Sequence, residues 1–299
     1  MIDYHVHLWP HDARADSSEQ RLERLGEYCE QARSRGVDEI ALTEHLFRFT
    51  QVQDVARRFW LNEHDEALRT EMASYFEFHA TADLDTYVED VLSAKRAGLP
   101  VVLGLEVDYY RGSMDLVERL LSGYPFDVLL GSVHWLGTWM FDNLASEVAM
   151  REWDLLGSDS AWTRYTEALE ELAATRTCDV LAHPDLIKLT GRRPGTLLLD
   201  ECNARIAEAA RRSGMAAEIS SAGLRKPVDE PYPSRDLLRR LFEAGVPVTA
   251  ASDAHGVPNV ADHRDELIAH AQRAGYGQLL AFSGRKGHLV PLVSGDPAR

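Results

Sequence analysis

The stretch LDTYVEDVLSAKRAGLPVVLGLEV, residues 84–107, decides how this chain is read. Its first half repeats apolar residues at roughly 3.6-residue spacing, which predicts a helix over Leu84–Ala97. Gly98 stands where a helix-terminating glycine belongs. A short apolar run, Val101–Val107, then predicts a strand, and it carries Glu106 near its end.

The same unit recurs along the chain. Strands are expected near Ile2–Leu8, Glu39–Leu42, Asp127–Val133, Asp179–Ala182, Ala216–Ile219 and Val246–Ala251, with a further short one near Gln278–Phe282. Helices are expected at Ser18–Ser34, Met114–Leu121, Ala161–Thr175, Leu198–Ser213, Ser234–Ala244 and Asp262–Ala274. Gly36, Gly214 and Gly245 repeat the helix-to-strand junction of Gly98. Alternating strands and helices favour a parallel sheet under covering helices, an α/β fold. About seven such units favour a (β/α)7 barrel of TIM-like kind over an open sheet. No linker or composition shift divides residues 1–299, so a single domain is expected. Residues 47–82 differ: they are rich in aromatics and charge and carry no clear strand. A long excursion after a barrel strand reads as a lid or insertion, the alternative being extra packed helix without a role in chemistry.

Composition narrows the function. With 45% hydrophobic and 27% charged residues the chain reads as an ordinary soluble globular protein. No apolar run approaches the roughly 20 residues of a membrane span. No basic region followed by an apolar stretch opens the sequence, and the expectation is a cytoplasmic protein. A formal net charge of -16 argues against nucleic-acid backbone binding and leaves room for a small anionic substrate beside bound metal. Cys29, Cys178 and Cys202 are too few and too scattered for a disulfide framework or a thiolate site.

Of 12 histidines, most sit at strand ends or just after them. His5 and His7 alternate along the first strand and so share one face. His45, Glu106, His134 and His183 end or follow four other strands, and Asp253 and His255 follow the last. In a parallel barrel these ends converge on one rim. Each alone reads as an ordinary hydrogen-bonded residue; jointly they read as a metal site. Imidazole with carboxylate suits zinc, manganese or iron. His11 and Asp12, in the loop after the first strand, are equal candidates for one further ligand. His64, His79, His263, His270 and His288 fall outside the pattern and read as structural, with a lid contact open to His64 and His79.

These residues also resemble a family. Asp3-Tyr4-His5-Val6-His7, Leu42-Thr43-Glu44-His45, Gly131-Ser132-Val133-His134-Trp135-Leu136 with Trp139-Met140-Phe141-Asp142, His183-Pro184-Asp185-Leu186-Ile187-Lys188, Ser221-Ala222-Gly223-Leu224-Arg225-Lys226-Pro227 running to Tyr232-Pro233-Ser234, and Asp253-Ala254-His255 are similar, in order, to the PHP (polymerase and histidinol phosphatase) superfamily and its histidinol-phosphate phosphatases. The resemblance implies a distorted seven-stranded barrel and two or three divalent ions. One ion would take His5, His7, Glu106 and Asp253. A second would share Glu106 and take His134 and His183. A third would take His45, His255 and a residue of the first loop, where Trp9-Pro10-His11-Asp12 departs from the family pattern. Arg225 matches a position that contacts the substrate phosphate, for which a guanidinium fork is suited. Lys188, Arg192 and Arg193 read instead as a solvated basic loop.

The implied reaction is hydrolysis of a small phosphomonoester, first of all L-histidinol phosphate, with Asp253, His255 and Arg225 as catalytic candidates. A PHP-type phosphatase or phosphodiesterase acting on another sugar or nucleotide phosphate keeps the same centre, as substrate identity resides in the pocket. An amidohydrolase would also use His-x-His, later histidines and an aspartate. A bridging Glu106 and the Gly-Leu-Arg-Lys-Pro loop speak for phosphate. No Gly-x-Ser-x-Gly elbow or phosphate-cradling Walker loop is present.

Overall fold

The computed structural model describes residues 1–10, 13–14, 16–61 and 63–292. In chain order the elements are β1 (Ile2–Val6), α1 (Ser18–Ser34), β2 (Glu39–Leu42), α2 (Gln53–Trp60), α3 (Glu66–His79), α4 (Leu84–Arg96), β3 (Val101–Asp108), α5 (Met114–Leu121) and β4 (Val128–Ser132). They continue with the small hairpin β5 (Trp135–Leu136) and β6 (Trp139–Met140), then α6 (Glu147–Thr175), β7 (Val180–Leu181), α7 (Thr196–Ser213), β8 (Ala216–Ser220), α8 (Arg235–Glu243), β9 (Val248–Ala251) and α9 (Arg264–Ala274). A hairpin of β10 (Gln278–Ser283) and β11 (Lys286–Pro291) ends the described chain.

Seven strands form one parallel sheet in the order β1-β2-β3-β4-β7-β8-β9. The sheet rolls until its ends meet, giving a nearly closed barrel. His7 N–H donates to Ala254 O at 2.8 Å, and Ala254 N–H donates to His5 O at 3.3 Å. Asp3 pins the same seam: it accepts from Ser252 N–H at 2.8 Å, Ser252 Oγ at 2.6 Å and Ala261 N–H at 2.9 Å. Burial lifts this carboxyl to about 6 against those hydrogen bonds. Strands buried on both faces explain why the apolar runs were continuous rather than alternating. Glycine at 104 lets β3 pass close to its neighbours; a Cβ there would stand 2.7 Å from Thr43 Cγ2 and 2.9 Å from Val128 Cγ1.

Three expectations shift. β1 ends at Val6 rather than Leu8, because the Leu8 and Trp9 amides leave the ladder for the Glu44 carboxylate, at 3.0 and 3.1 Å. The helix expected from Ala161 begins at Glu147 and bends at Gly157, whose φ of 73° and ψ of 164° break the helical path. The strand expected near Gln278–Phe282 forms, but it pairs with β11 as a hairpin outside the barrel. Residues 47–82 contain α2 and α3 and no strand of the barrel.

Candidate metal centre

The alternation of β1 aims both His5 and His7 into the barrel mouth, and both are fully buried. Glu106 lies one strand pair away on β3, 1% exposed. It is the hub. Its two oxygens face five imidazoles: His5 Nε2 at 3.4 Å, His7 Nε2 at 3.7 Å, His45 Nδ1 at 2.5 Å, His134 Nε2 at 3.3 Å and His183 Nε2 at 3.0 Å. Asp253 Oδ1 approaches His7 Nε2 at 3.3 Å, His5 Nε2 at 3.8 Å and His255 Nδ1 at 3.6 Å. His45 and His255 face each other through their Nε2 atoms at 3.2 Å. Residues from six separate strand ends thus meet in one volume.

An outer ring of carboxylates fixes the histidines. Glu218 Oε2 lies 2.7 Å from His5 Nδ1, Asp108 Oδ1 2.8 Å from His134 Nδ1, and Glu44 Oε1 3.4 Å from His7 Nδ1. A carboxylate only accepts, so each of these Nδ1 atoms carries a proton and each ring turns its Nε2 inward. Nε2 atoms facing the Glu106 and Asp253 carboxylates call for positive charge between them, as a shared proton or as a metal ion that takes its place. The orphaned atoms agree: His5 Nε2, His7 Nε2 and Glu106 Oε2 are buried without a hydrogen-bond partner among the described residues. Ligand atoms of His5, His7 and Glu106, of His45, Glu106 and His134, and of His7, His45 and His255 lie within 4.8 Å of one another in each group. These residues fit divalent metal, with nitrogen and oxygen donors and no thiolate.

Electrostatics show the same demand. Burial depresses His5, but the carboxylates of Glu218, Glu106 and Asp253 carry it well above its ordinary value. Burial raises Glu106, yet the charges of His45, His134 and His5 hold it well below the usual carboxylate range. Glu44 is kept at about 2: burial opposes ionisation, while Arg48 and His7 favour it. Strain marks two of these positions, since Asp253 and His183 hold positive φ of 52° and 26°.

A model of the PHP domain matches residues 3–222. The chain belongs to the PHP domain family. A probable histidinol-phosphatase of Deinococcus radiodurans is 34% identical over 207 residues, which are 68% of this chain and 76% of that protein. The histidinol phosphate phosphatase of Lactococcus lactis, solved with zinc, L-histidinol and phosphate, superposes with a TM-score of 0.67 at 19% identity, over 96% of this chain and 98% of that one. A putative histidinol phosphatase of Listeria monocytogenes gives a TM-score of 0.70 at 21% identity, over 89% and 99%. Both structures share the barrel fold of this PHP chain.

The centre forms the floor of a cavity of about 560 Å³. Phe47, Tyr75, Phe78 and His79, from residues 47–82, build one wall, and Trp135, Met140 and Asp142 build another. Here Arg225 departs from expectation. Its Nη1 donates to both Asp262 oxygens, at 2.8 and 2.6 Å, and its Nη2 to the carbonyls of Ser252 and Asp253, at 2.6 and 3.1 Å. The guanidinium therefore grips the backbone that carries Asp253, and the next residue, Lys226, is the cation lining the cavity. Lys188 is also not solvated: fully buried, its ammonium donates to Glu230 Oε2 at 2.9 Å and Pro231 O at 2.7 Å. Arg193 joins it on Glu230 at 2.9 Å. His79 lines the cavity and His64 is exposed outside its lining. His11 and Asp12 lie outside the described residues.

Sequence reasoning missed the outer ring. Glu218 had a signal, an acid inside the apolar strand Ala216–Ser220. Asp108 had one too, standing two residues beyond Glu106 and hence on the same face of β3. Asp142 and Lys226 belonged to quoted motifs but carried no role, because their place on the cavity wall depends on loop paths.

Proposed function

We propose that this protein is a metal-dependent phosphomonoesterase that hydrolyses L-histidinol phosphate to L-histidinol and phosphate. The observation that carries the proposal is the Glu106 hub, buried among five imidazoles at the floor of a cavity that Lys226 also lines. The substrate is taken from what the Deinococcus and Lactococcus relatives are named for.

His5, His7, Glu106 and Asp253 would hold one divalent ion, Glu106, His134 and His183 a second, and His45 and His255 a third, with manganese, zinc and iron all compatible with these donors. Such ions supply charge against phosphoryl oxygens and lower the pKa of water toward neutrality. The chain's own residues do the rest. Glu218, Asp108 and Glu44 keep the imidazoles in one tautomer and orientation. Arg225 holds the Ser252 and Asp253 carbonyls, so that the Asp253 carboxylate faces His5 and His7. Lys226 meets the phosphate as a mobile point charge. His255, on the cavity wall, would hand a proton to the leaving alcohol, while Asp253, held ionised against burial by the His5, His7 and His255 charges, would serve as a ligand. Residues 47–82 act as the lid, excluding water and shaping specificity. No described helix is long and apolar enough to cross a membrane, and we place the enzyme in the cytoplasm with its small phosphorylated substrate.

The test is phosphate release from L-histidinol phosphate by protein reconstituted with manganese or zinc. Turnover should vanish on chelation and return on adding metal. Full activity after chelation and dialysis removes the metal from the mechanism; rejection of histidinol phosphate beside rapid turnover of a sugar phosphate removes the substrate.

A further inference from the structure

The lid does more than close the cavity. On α3, residues Glu71, Ser74, Tyr75, Phe78 and His79 all line it. Their spacing of three and four places them on one face of the helix. That face is aromatic except at Glu71 and Ser74. The Oε2 atom of Glu71 is shielded from solvent and has no hydrogen-bond partner among the described residues. A shielded carboxylate oxygen without a donor is costly, and a ligand donor relieves it. Asp142, from the turn between β6 and α6, lines the same cavity, where the His134 and Lys226 charges act on it. Tyr75 lies one helical turn from Glu71 on the same face of α3.

The cavity lining is mixed in charge. Lys226 and the ligand cluster suit an anion. The lid wall offers carboxylate and aromatic faces, and no arginine lines it. That wall suits a planar or cationic nitrogen group, held by charge-assisted hydrogen bonding and by cation–π contact. It does not suit a neutral polyol.

We propose that Glu71 is a specificity-determining residue, whose carboxylate binds the cationic nitrogen group of the substrate's alcohol portion against the aromatic lid. For the phosphate end this rests on the phosphatase reading; the cation contact stands apart from it.

Two measurements on metal-reconstituted full-length protein test this, using the isosteric Glu71→Gln. The first compares kcat/KM for L-histidinol phosphate with that for p-nitrophenyl phosphate, which lacks the cation. The preference for histidinol phosphate should fall at least about tenfold, mainly through KM. The second is calorimetric titration with L-histidinol alone, whose affinity should weaken by about the same factor, with Glu71→Asp intermediate. A preference within twofold of wild type, with unchanged histidinol affinity, overturns the assignment. The two readings separate cleanly. Wild-type protein that cleaves no phosphomonoester, yet binds L-histidinol in a Glu71-dependent way, sinks the phosphatase and keeps the cation site. Glu71→Gln that keeps wild-type kcat/KM for histidinol phosphate and wild-type affinity for L-histidinol sinks only the latter.

Discussion

The two ends of the barrel use the same side chains to opposite ends. At the strand starts, buried acids are saturated. Asp127 accepts from Lys95 Nζ at 2.6 Å, Leu103 N–H at 3.1 Å and Gly284 N–H at 2.9 Å. Asp179 accepts from Leu129 N–H at 2.9 Å and from both the Nε and Nη2 of Arg285, each at 3.0 Å. Tyr4 donates to Glu39 while accepting from Phe282 N–H at 3.2 Å. The turn of the β10–β11 hairpin thus supplies the donors that close this end. At the strand finishes, His5 Nε2, His7 Nε2 and Glu106 Oε2 face one another without a hydrogen-bond partner among the described residues. A buried carboxylate whose donors are built in holds the frame. One whose donors are withheld is a binding site waiting for a cation.

That contrast breaks first at the hub. Glu106→Gln removes the shared carboxylate from all five imidazoles, and bound metal, measured by elemental analysis, should fall below one ion per chain. Phosphatase turnover should drop about a thousandfold or more, as removal of a group acting as part of a unit does. The folded state should also lose stability in metal-free buffer near neutral pH, since, against burial, the charges of His45, His134 and His5 hold the Glu106 carboxyl well below its ordinary value. A variant that keeps both its metal and its rate would show that Glu106 is a bystander.

At the other end the prediction inverts. Asp127→Ala leaves the buried Leu103 amide, the Gly284 amide and the Lys95 ammonium without their acceptor. It should cost about 2–3 kcal/mol in urea unfolding. Turnover per folded molecule should hold. Lost activity at undiminished stability would mean that the two ends are not the separate devices described.

How far this was legible in sequence follows the same division. The seven barrel strands and the gathering of His5, His7, His45, Glu106, His134, His183, Asp253 and His255 at one barrel mouth were readable, because strand periodicity fixes which residues point inward and where strands stop. The outer carboxylates were harder. Glu218 and Asp108 look like any strand acid until the fold brings His5 and His134 within 3 Å, at 2.7 and 2.8 Å. Arg225 misled for a related reason. A guanidinium beside a phosphate site reads as a phosphate ligand, and only the position of Asp262 reveals that its fork is already filled. Lys188, read as solvated, is instead buried between Asp185, three residues before it at 3.0 Å, and Glu230, 42 residues further on at 2.9 Å. Pairing across long sequence separations carries no periodic signature.

The neighbouring cations Arg225 and Lys226 sharpen the comparison at smaller scale, one saturated and one exposed at the cavity. Lys226→Ala should raise KM for the phosphomonoester about tenfold, roughly 1.4 kcal/mol, and flatten its dependence on ionic strength. Lys226→Arg should restore most of the loss. Arg225→Lys should act differently, lowering metal content through the loosened Asp253 backbone. If instead Arg225→Lys reproduces the KM effect with metal content intact, the expected phosphate role returns to Arg225.

The smallest effect comes from a histidine that belongs to the frame. His270 on α9 is 6% exposed, and its Nε2–H donates to Pro233 O at 2.9 Å. Unlike His5, it has no hydrogen-bonded carboxylate among the described residues, and the Asp185 charge opposes burial only weakly. Burial therefore lowers it from 6.5, with the Lys188 and Arg273 charges adding to the depression and the Pro233 carbonyl opposing it. The sign follows. A histidine depressed in the folded state contributes stability above pH 6.5, where neither state is protonated, and that stability is lost as pH falls through the lower folded value. Urea midpoints measured from pH 7 to pH 5 should therefore decline more steeply in wild type than in His270→Gln, whose amide can still donate to Pro233 O. The difference should reach about 1 kcal/mol or less at the acid end. Parallel declines would mean that protonation of the metal-centre histidines, and not of this frame histidine, governs stability in that range.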